Sequence, residues 1–410
     1  MATFGDALHF SLTAFVILFA AFSAEARYPV IFVPGDGGSQ LWAKLNRTDV
    51  PHEYCKKVSS DYFNIWLNLE ELVPLAINCF VDNMRLHYDN KTRTTHDTPG
   101  VDIRIKNFGD PQTVEWLDPD SYVHYSALAY FSNIAEALVN KGYTRGKDLK
   151  GAPYDFRRAP NELGELFVNL TKLVEDTYAE NNNTRVVMVA HSMGNPVLLY
   201  FFNHKPQSWK DKFIQAHVSI SGVWAGSVKP VRLMTSGDSL GVVIVEPNTV
   251  RPEQRSMPSS AWLMPSTRFW SADEVLVITD KRNYTSRDYK QLFIDIDFMD
   301  GYDMWLDTQK LIIDLTPPGV EVHCLHGLGI NTPGVLQWGP GQFPDAYPKV
   351  FPDDGDGTVP RRSLEACTAW TSQQKQAVKH SVFKTPEAEH MAILKFSPVI
   401  DYVVKVATGS

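Results

Sequence analysis

Short runs of apolar residues alternate along the chain with stretches whose apolar positions recur every three to four residues. Tyr28–Val33 (YPVIFV) is β-branched and runs into Pro34-Gly35-Asp36-Gly37-Gly38, which predicts a strand entering a glycine-rich turn. Tyr125–Lys141 has helical spacing and stops near Gly142. Leu149–Phe156 reads as the end of a strand, and Leu163–Ala179 as an amphipathic helix. Arg185–Ala190 (RVVMVA) is uninterrupted and predicts a buried strand, with Asn195–Phe202 following as a helix that tolerates Pro196 in its first turn. Phe213–Ile220, Val320–Leu325 and a run ending in SVFK read as later strands, and Met391–Val406 as the last helix. Strands alternating with helices predict a parallel sheet of the α/β class. Val50–Thr98 and the region around 225–310 break this rhythm and read as insertions. Within the first, Tyr62–Ile77 places Trp66, Leu67, Leu69, Leu72 and Val73 near helical spacing. That segment is short, lies between two cysteines and stands outside the α/β rhythm, so we expect an apolar surface lying on a membrane, with Trp66, Leu67 and Leu69 in contact with lipid.

The first residues have a different character. Ser11–Ser23 carries no charge and is followed by Ala24-Glu25-Ala26, a small-residue cleavage pattern. Its start lacks the usual Lys or Arg, and a membrane anchor is the competing reading. The expected outcome is cleavage of residues 1–26, leaving 27–410 in the secretory pathway. Sequons at Asn46, Asn90, Asn169, Asn182 and Asn283 fit glycosylation there. Four cysteines, Cys55, Cys79, Cys324 and Cys367, allow three pairings; the nearest-neighbour pairing closes two modest loops and is the one expected. Zinc is not read, because no C-x₂₋₄-C spacing occurs. The 410 residues would allow two or three domains at roughly 150 residues each, and only 21% are charged, so a packed core is attainable. Lys and Arg number 39 against 47 Asp and Glu, a balance that argues against a nucleic-acid partner. Aromatic residues make up 12%, which suits a protein that handles apolar surface.

Chemistry concentrates at three places. A serine nucleophile on a sharp strand-to-helix turn needs small flanking residues, as in G-x-S-x-G. The literal match, Gly237-Asp238-Ser239-Leu240-Gly241, is rejected because VRLMTS before it is not a buried strand and VVIVEP after it is strand-like. Ala190-His191-Ser192-Met193-Gly194 departs from the pattern by one methyl group and sits between the buried strand and a helix. Its partners should follow in the order acid, then histidine. Asp356, directly before Gly-Thr-Val, is the chosen acid, with Asp354 as the second choice. An EF-hand counted from Asp354 fails, because Val359 stands where glycine is required. Of twelve histidines, His390 lies where a loop enters the last helix. His323, His326 and His380 lie in or beside strand-like runs and read as structural, and His191 diverges from Ser192 on a tight turn. In this reading Ser192 attacks an acyl carbonyl, His390 takes its proton and Asp356 steadies the imidazolium. The oxyanion is met by the backbone N–H groups of Asp36 and Met193. An ionised Asp36 side chain beside a developing negative charge would oppose it, which predicts an acidic optimum.

The segments VIFVPGDGGSQLWAK, IWLNLE, YTRGKDLKGAPYDFRRAPNE, VVMVAHSMGNPVLLYF, DGDGTVP and AEHM together resemble the lecithin–cholesterol acyltransferase family over nearly all of residues 27–410. The resemblance implies an α/β-hydrolase core with a membrane-binding subdomain (about 50–98) and a cap carrying a lid (about 225–310). By matching motif it implies the triad Ser192, Asp356 and His390, the oxyanion hole Asp36 and Met193, and disulfides Cys55–Cys79 and Cys324–Cys367. The implied activity is calcium-independent release of an acyl chain from a glycerophospholipid, passed to water or to a lipid alcohol such as ceramide. No cofactor and no metal is implied. The expected setting is a monomer in the lysosome lumen or secreted, working on a phospholipid membrane surface. A sterol acyltransferase acting on lipoproteins is the alternative, and a non-catalytic lipid-binding protein is the rival from another class. One departure stands out. Where the family tends to carry a Gly-Ala-Pro-Trp-Gly-Gly-like stretch, this chain reads Ser221-Gly222-Val223-Trp224-Ala225-Gly226, which bears on contacts near the acyl track.

Overall fold

Six short segments find partners in one parallel sheet. In chain order they are β1 (Val30–Val33), β2 (Leu149–Gly151), β3 (Val186–His191), β4 (Ile214–Ile220), β5 (Val322–Gly327) and β6 (Val378–Phe383). Their order across the sheet is β6-β5-β4-β3-β1-β2, with every neighbour parallel. The computed structural model describes residues 27–119, 128–239 and 245–410. The expected leader, residues 1–26, lies outside them.

Side chains leave a strand alternately to its two faces. On β1, Ile31 and Val33 enter one apolar cluster while Val30 and Phe32 enter the other. The first cluster is covered by α2 (Gly164–Glu180), through Leu166, Leu170 and Val174, and by α3 (Gly194–Asn203), through Val197, Leu198, Phe201 and Phe202. The second is covered by α1 (Ser132–Val139) and α4 (Ser397–Thr408), through Ile134, Leu138, Val399 and Val403. Both faces of the sheet are thus buried, as a parallel sheet requires. The last helix does not run unbroken from Met391. A 3₁₀ turn over Ala392–Lys395 comes first, and α4 starts afresh with a proline in its first turn, where the missing N–H costs nothing.

Two further units decorate this core. Leu41–Leu45 pairs with Phe63–Trp66 and with Val101–Arg104, followed on the same side by a helix, Ile77–Met84, and a hairpin of Leu86–Asp89 with Thr94–Asp97. The other unit holds the helices Lys229–Thr235, Pro258–Trp262, Tyr289–Asp295 and Met299–Thr308 around a third apolar cluster, while its helix Pro247–Gln254 turns Val250 into the first. Its strands Asn283–Thr285 and Val275–Ile278 continue into Ile330–Gln337 and Lys349–Gly355, so this sheet draws on chain beyond residue 310.

The Tyr62–Ile77 segment differs from its spacing. It forms a strand, then a 3₁₀ turn over Leu69–Leu72, and a helix begins only at Ile77. Leu67 is 9% exposed and packs in the core. The Trp66 ring lies among Phe80 and Phe156, and its indole N–H donates to the Gly37 carbonyl at 2.8 Å. The outward apolar residues are Leu69 (43%), Val73 and Leu75 (73%). Strand pairing with Leu41–Ala43 outcompetes the helical pattern here and turns Trp66 and Leu67 inward.

Both disulfides take the nearest-neighbour pairing, Cys55–Cys79 and Cys324–Cys367. Asn46, Asn90, Asn182 and Asn283 are exposed, while Asn169, on α2, is half-buried. Among the described residues no helix is long and apolar enough to cross a membrane.

Candidate active site

Ser192 sits at the apex of the turn joining β3 to α3, with φ at +52°. A non-glycine residue in that left-handed region is strained, and such strain collects at functional turns. The turn is held by its surroundings: Ser192 N–H donates to the Ile220 carbonyl, and the Asn195 side chain donates to the carbonyls of Ser192 and Ile220. The chain can bend this tightly because its neighbours are small. A Cβ on Gly194 would run into the Val33 and Pro34 carbonyls, and one on Gly35 would lie 2.6 Å from Ser192 Cβ. The glycine-rich loop after β1 is therefore pressed directly against the serine.

Residues far apart in sequence converge on it. His390 Nε2 lies 2.9 Å from Ser192 Oγ, and His390 Nδ1 lies 2.7 Å from Asp356 Oδ2. The His390 backbone N–H also donates to the Asp356 carbonyl at 2.8 Å. Asp356 is fully buried, and its other carboxylate oxygen accepts the N–H groups of Thr358 and Val359. Burial alone would raise its pKa. The adjacent His390 and these donors more than offset that and hold the carboxyl below its usual range. Asp354, the second choice, faces elsewhere: it accepts from Gly329 N–H and lies 3.6 Å from Arg361.

The loop at Pro34–Ser39 is gripped by three aromatic side chains that the sequence did not single out for this purpose. Trp66 donates to the Gly37 carbonyl, the Tyr154 hydroxyl donates to the Pro34 carbonyl, and the Tyr130 hydroxyl accepts the Gly35 N–H. Tyr130 does more. Its oxygen lies 2.5 Å from His191 Nδ1, and His191 Nε2 lies 2.8 Å from the His390 carbonyl. A carbonyl only accepts, so His191 carries its proton on Nε2 and Tyr130 donates to Nδ1. Gly35, Tyr130, His191 and His390 thereby form one hydrogen-bonded chain, from the glycine loop to the histidine beside Ser192. Burial, with His390 close by, pushes the His191 pKa down to about 3, so this ring stays neutral and does not serve as a base.

Asp36 lies on the glycine loop pressed against Ser192, and Met193 follows Ser192 in the chain. Met193 opens the first turn of α3, where backbone N–H groups lack helical partners. The Asp36 side chain is open to water yet surrounded by protein at close range. Loss of solvation pushes its pKa up to about 6, against the opposing pull of Lys229 and the Gly37 N–H. Asp36 in turn acts on a second carboxyl. Glu253 is 5% exposed, and its pKa is pushed up to about 8 by burial and by the Asp36 charge, with Arg157 pulling the other way.

Other candidates fall away from this centre. Asp238 of the rejected pentapeptide pairs with Arg232, and Leu240 and Gly241 lie outside the described residues. His323 bonds Tyr402 and lies 3.0 Å from Glu321. His326, His380 and Glu365 bring their ligand atoms within 4.8 Å of one another. The two ring nitrogens already bond each other at 2.7 Å, and Glu365 is engaged by Arg361. In the departing stretch Ser221–Gly226, Trp224 is buried edge-on against Trp370, and Ala225 N–H donates to Ser363.

The profile of the family described as Lecithin:cholesterol acyltransferase matches residues 62–397. The lysosomal phospholipase A and acyltransferase of Rattus norvegicus is 45% identical over 386 residues, covering 94% of this chain and 92% of that protein. The phosphatidylcholine-sterol acyltransferase of Gallus gallus is 41% identical over 352 residues, 85% of this chain and 83% of that protein. Among solved structures, a chain of the Tle4–Tli4 complex superposes with a TM-score of 0.53 at 13% identity, covering 93% of this chain and 98% of that one. That likeness speaks for the fold alone.

Proposed function

The chain belongs to the lecithin:cholesterol acyltransferase family, and on that premise we propose that it is a serine phospholipase A and O-acyltransferase. The carrying observation is the continuous contact from Ser192 Oγ through His390 to buried Asp356. Ser192 Oγ attacks the ester carbonyl of a glycerophospholipid as His390 Nε2 takes its proton. Asp356 keeps the imidazole oriented and stabilises its positive charge. The N–H groups of Asp36 and Met193 receive the oxyanion. Collapse of the tetrahedral intermediate breaks the ester C–O bond, and His390 protonates the departing lysophospholipid alcohol. Acyl-Ser192 remains. Water, or the hydroxyl of a lipid alcohol such as ceramide, then attacks it with His390 as base, giving a free fatty acid or an acylated acceptor and restoring Ser192. Ser192 supplies the nucleophile, so this route needs no calcium ion to activate an attacking water.

The raised pKa of Asp36 supports an acidic optimum, since its carboxyl stays neutral below about pH 6 and turns against the oxyanion above it. Exposed Leu69, Val73 and Leu75 support docking on a phospholipid surface. The lysosomal relative and the exposed sequons support a glycosylated protein of the lysosome lumen. The test is product analysis on phospholipid liposomes carrying ceramide or cholesterol, between pH 4 and 8. Free fatty acid and acylceramide should form at acid pH and vanish in Ser192→Ala together with fluorophosphonate labelling. Cholesteryl ester as the main product would favour the sterol-transferring reading.

A further inference from the structure

A second cavity, of about 360 Å³, shares no lining residue with the Ser192 site. Its walls come from the strand Leu86–Asp89, the end of the helix Pro247–Gln254 and the helix Met299–Thr308. Two arginines face it, Arg85 and Arg255, each closing a helix. A cation at a helix C-terminus is commonplace and is no site by itself. Three observations go further. Arg85 Nε is buried and meets no hydrogen-bond partner, a state that costs free energy unless something fills it. Neither guanidinium has a carboxylate within ion-pairing distance among the described residues, although twenty-two such pairs with Lys or Arg form elsewhere. Arg255 stands over the Phe298 ring, its Cζ 4.4 Å from the ring centroid, a contact that restrains its guanidinium at the cavity wall.

The surrounding charges reinforce the excess. Burial, then Arg251 and Arg85, destabilise the Arg255 cation, with Asp297 and Asp345 opposing them at longer range. The acids of the helix Met299–Thr308 are largely spoken for. Asp307 takes Arg93 and the Tyr88 hydroxyl, and Asp303 takes Arg93. Asp300 lines the cavity, but it is exposed, and burial on one side together with Asp303 raises its carboxyl above the usual range. His87 keeps Nε2 on Thr98 and is held towards its neutral form by burial and Arg85.

We propose that this cavity is a binding site for a phosphate group, held between the guanidinium forks of Arg85 and Arg255. Planar forks match phosphate oxygens in pairs, and an anion would satisfy Arg85 Nε while relieving the repulsion between the two cations. The site stands apart from Ser192, so its occupancy does not depend on the reaction assigned there. The group arrives either as free phosphate or as the phosphodiester of a lipid headgroup.

Calorimetric titration of the whole protein with inorganic phosphate, at constant ionic strength in chloride, tests this. Binding should be saturable. Arg85→Gln and Arg255→Gln should each weaken it at least about tenfold and the double variant abolish it, with hydrolysis of a soluble ester unchanged. Competition by dihexanoylphosphatidylglycerol below its micelle threshold identifies the headgroup as the source; failure to compete identifies free phosphate. Non-saturable heats, or variants that bind as wild type does, overturn the proposal. Asp300→Asn, a change on the exposed rim, keeps the test open should the arginine variants fail to fold. It must tighten phosphate binding, and unchanged or weaker binding also overturns the proposal.

Discussion

Tyr130 does not touch the substrate carbonyl in this mechanism, yet it links the loop carrying one oxyanion donor to the ring beneath His390. Replacing it by phenylalanine leaves Gly35 N–H without its acceptor and His191 Nδ1 without its donor, each inside the protein. Such losses cost about 1–3 kcal/mol apiece. If Tyr130 positions the site, kcat of Tyr130→Phe on a soluble ester should fall roughly tenfold at nearly constant KM, because only the geometry reached in the transition state suffers. An unchanged kcat in a destabilised variant would reduce Tyr130 to a packing residue. Asp36 makes a separate forecast. Its carboxyl ionises through about pH 6, so kcat/KM should decline as pH rises through that value. Asp36→Asn should hold activity further into the neutral range, and a pH–rate profile identical to wild type would remove Asp36 from the explanation. At this scale the sequence was most readable where the chemistry is local. A buried strand, small residues and a helix around Ser192 state their purpose within ten positions. Tyr130 stated nothing, because its role depends on Gly35, 95 residues before it, and His191, 61 after it.

Strands and helices followed their patterns when a single environment decided them. Leu163–Ala179 was expected as a helix and Gly164–Glu180 forms one, with its apolar stripe on one cluster. The segment after Tyr62 failed because its apolar spacing had two possible partners. A lipid surface and the strand Leu41–Leu45 both suit Trp66 and Leu67, and pairing with Leu41–Ala43 won. This redistributes the expected phenotypes. Leu69→Ala combined with Leu75→Ala should weaken liposome binding about tenfold, two exposed leucines being lost from the lipid contact, and should spare soluble-ester hydrolysis. Trp66→Ala should impair both, since it also releases Gly37 beside Asp36. Soluble activity of Trp66→Ala equal to wild type would return Trp66 to the membrane. The small unit is fastened to the core by fully buried Arg157, whose guanidinium binds Asp155, Asp97 and the Met84 carbonyl. The sequence displays that arginine in PYDFRR without showing which acids it reaches.

Glu253 turns the whole molecule into a pH-dependent object. Its folded pKa of about 8 lies above the ordinary 4.5, so the folded chain holds a proton that the unfolded chain has lost. Stability from this group is complete below about pH 4.5 and declines as pH rises towards 8. Glu253→Gln imitates the protonated side chain. It should raise the melting temperature at pH 8 and leave it unchanged at pH 4.5. His191 and His217 act in the opposite sense: both are buried with pKa values pushed down to about 3, so their contribution is lost as pH falls below 6.5. The test is therefore the difference between variant and wild type at each pH. An equal difference at both values would show that Glu253 does not titrate in that window. Nothing in the sequence around Glu253 reveals this, since PEQ in an exposed helix and in a buried one read alike.

Cys324 lies on β5, next to the edge strand β6, and Cys367 lies beyond the turn that carries Asp356. The acid is thus enclosed in a covalent ring, while Ser192 and His390 stand outside it. Closing a ring of this size restricts the unfolded chain by about 4 kcal/mol. The biosynthetic compartment consequently has a hand in catalysis. A chain made where thiols stay reduced can build the nucleophile turn from its own local signals, but it must find the place of its acid without the tether, and oxidation of this cysteine pair becomes a step in assembling the active site.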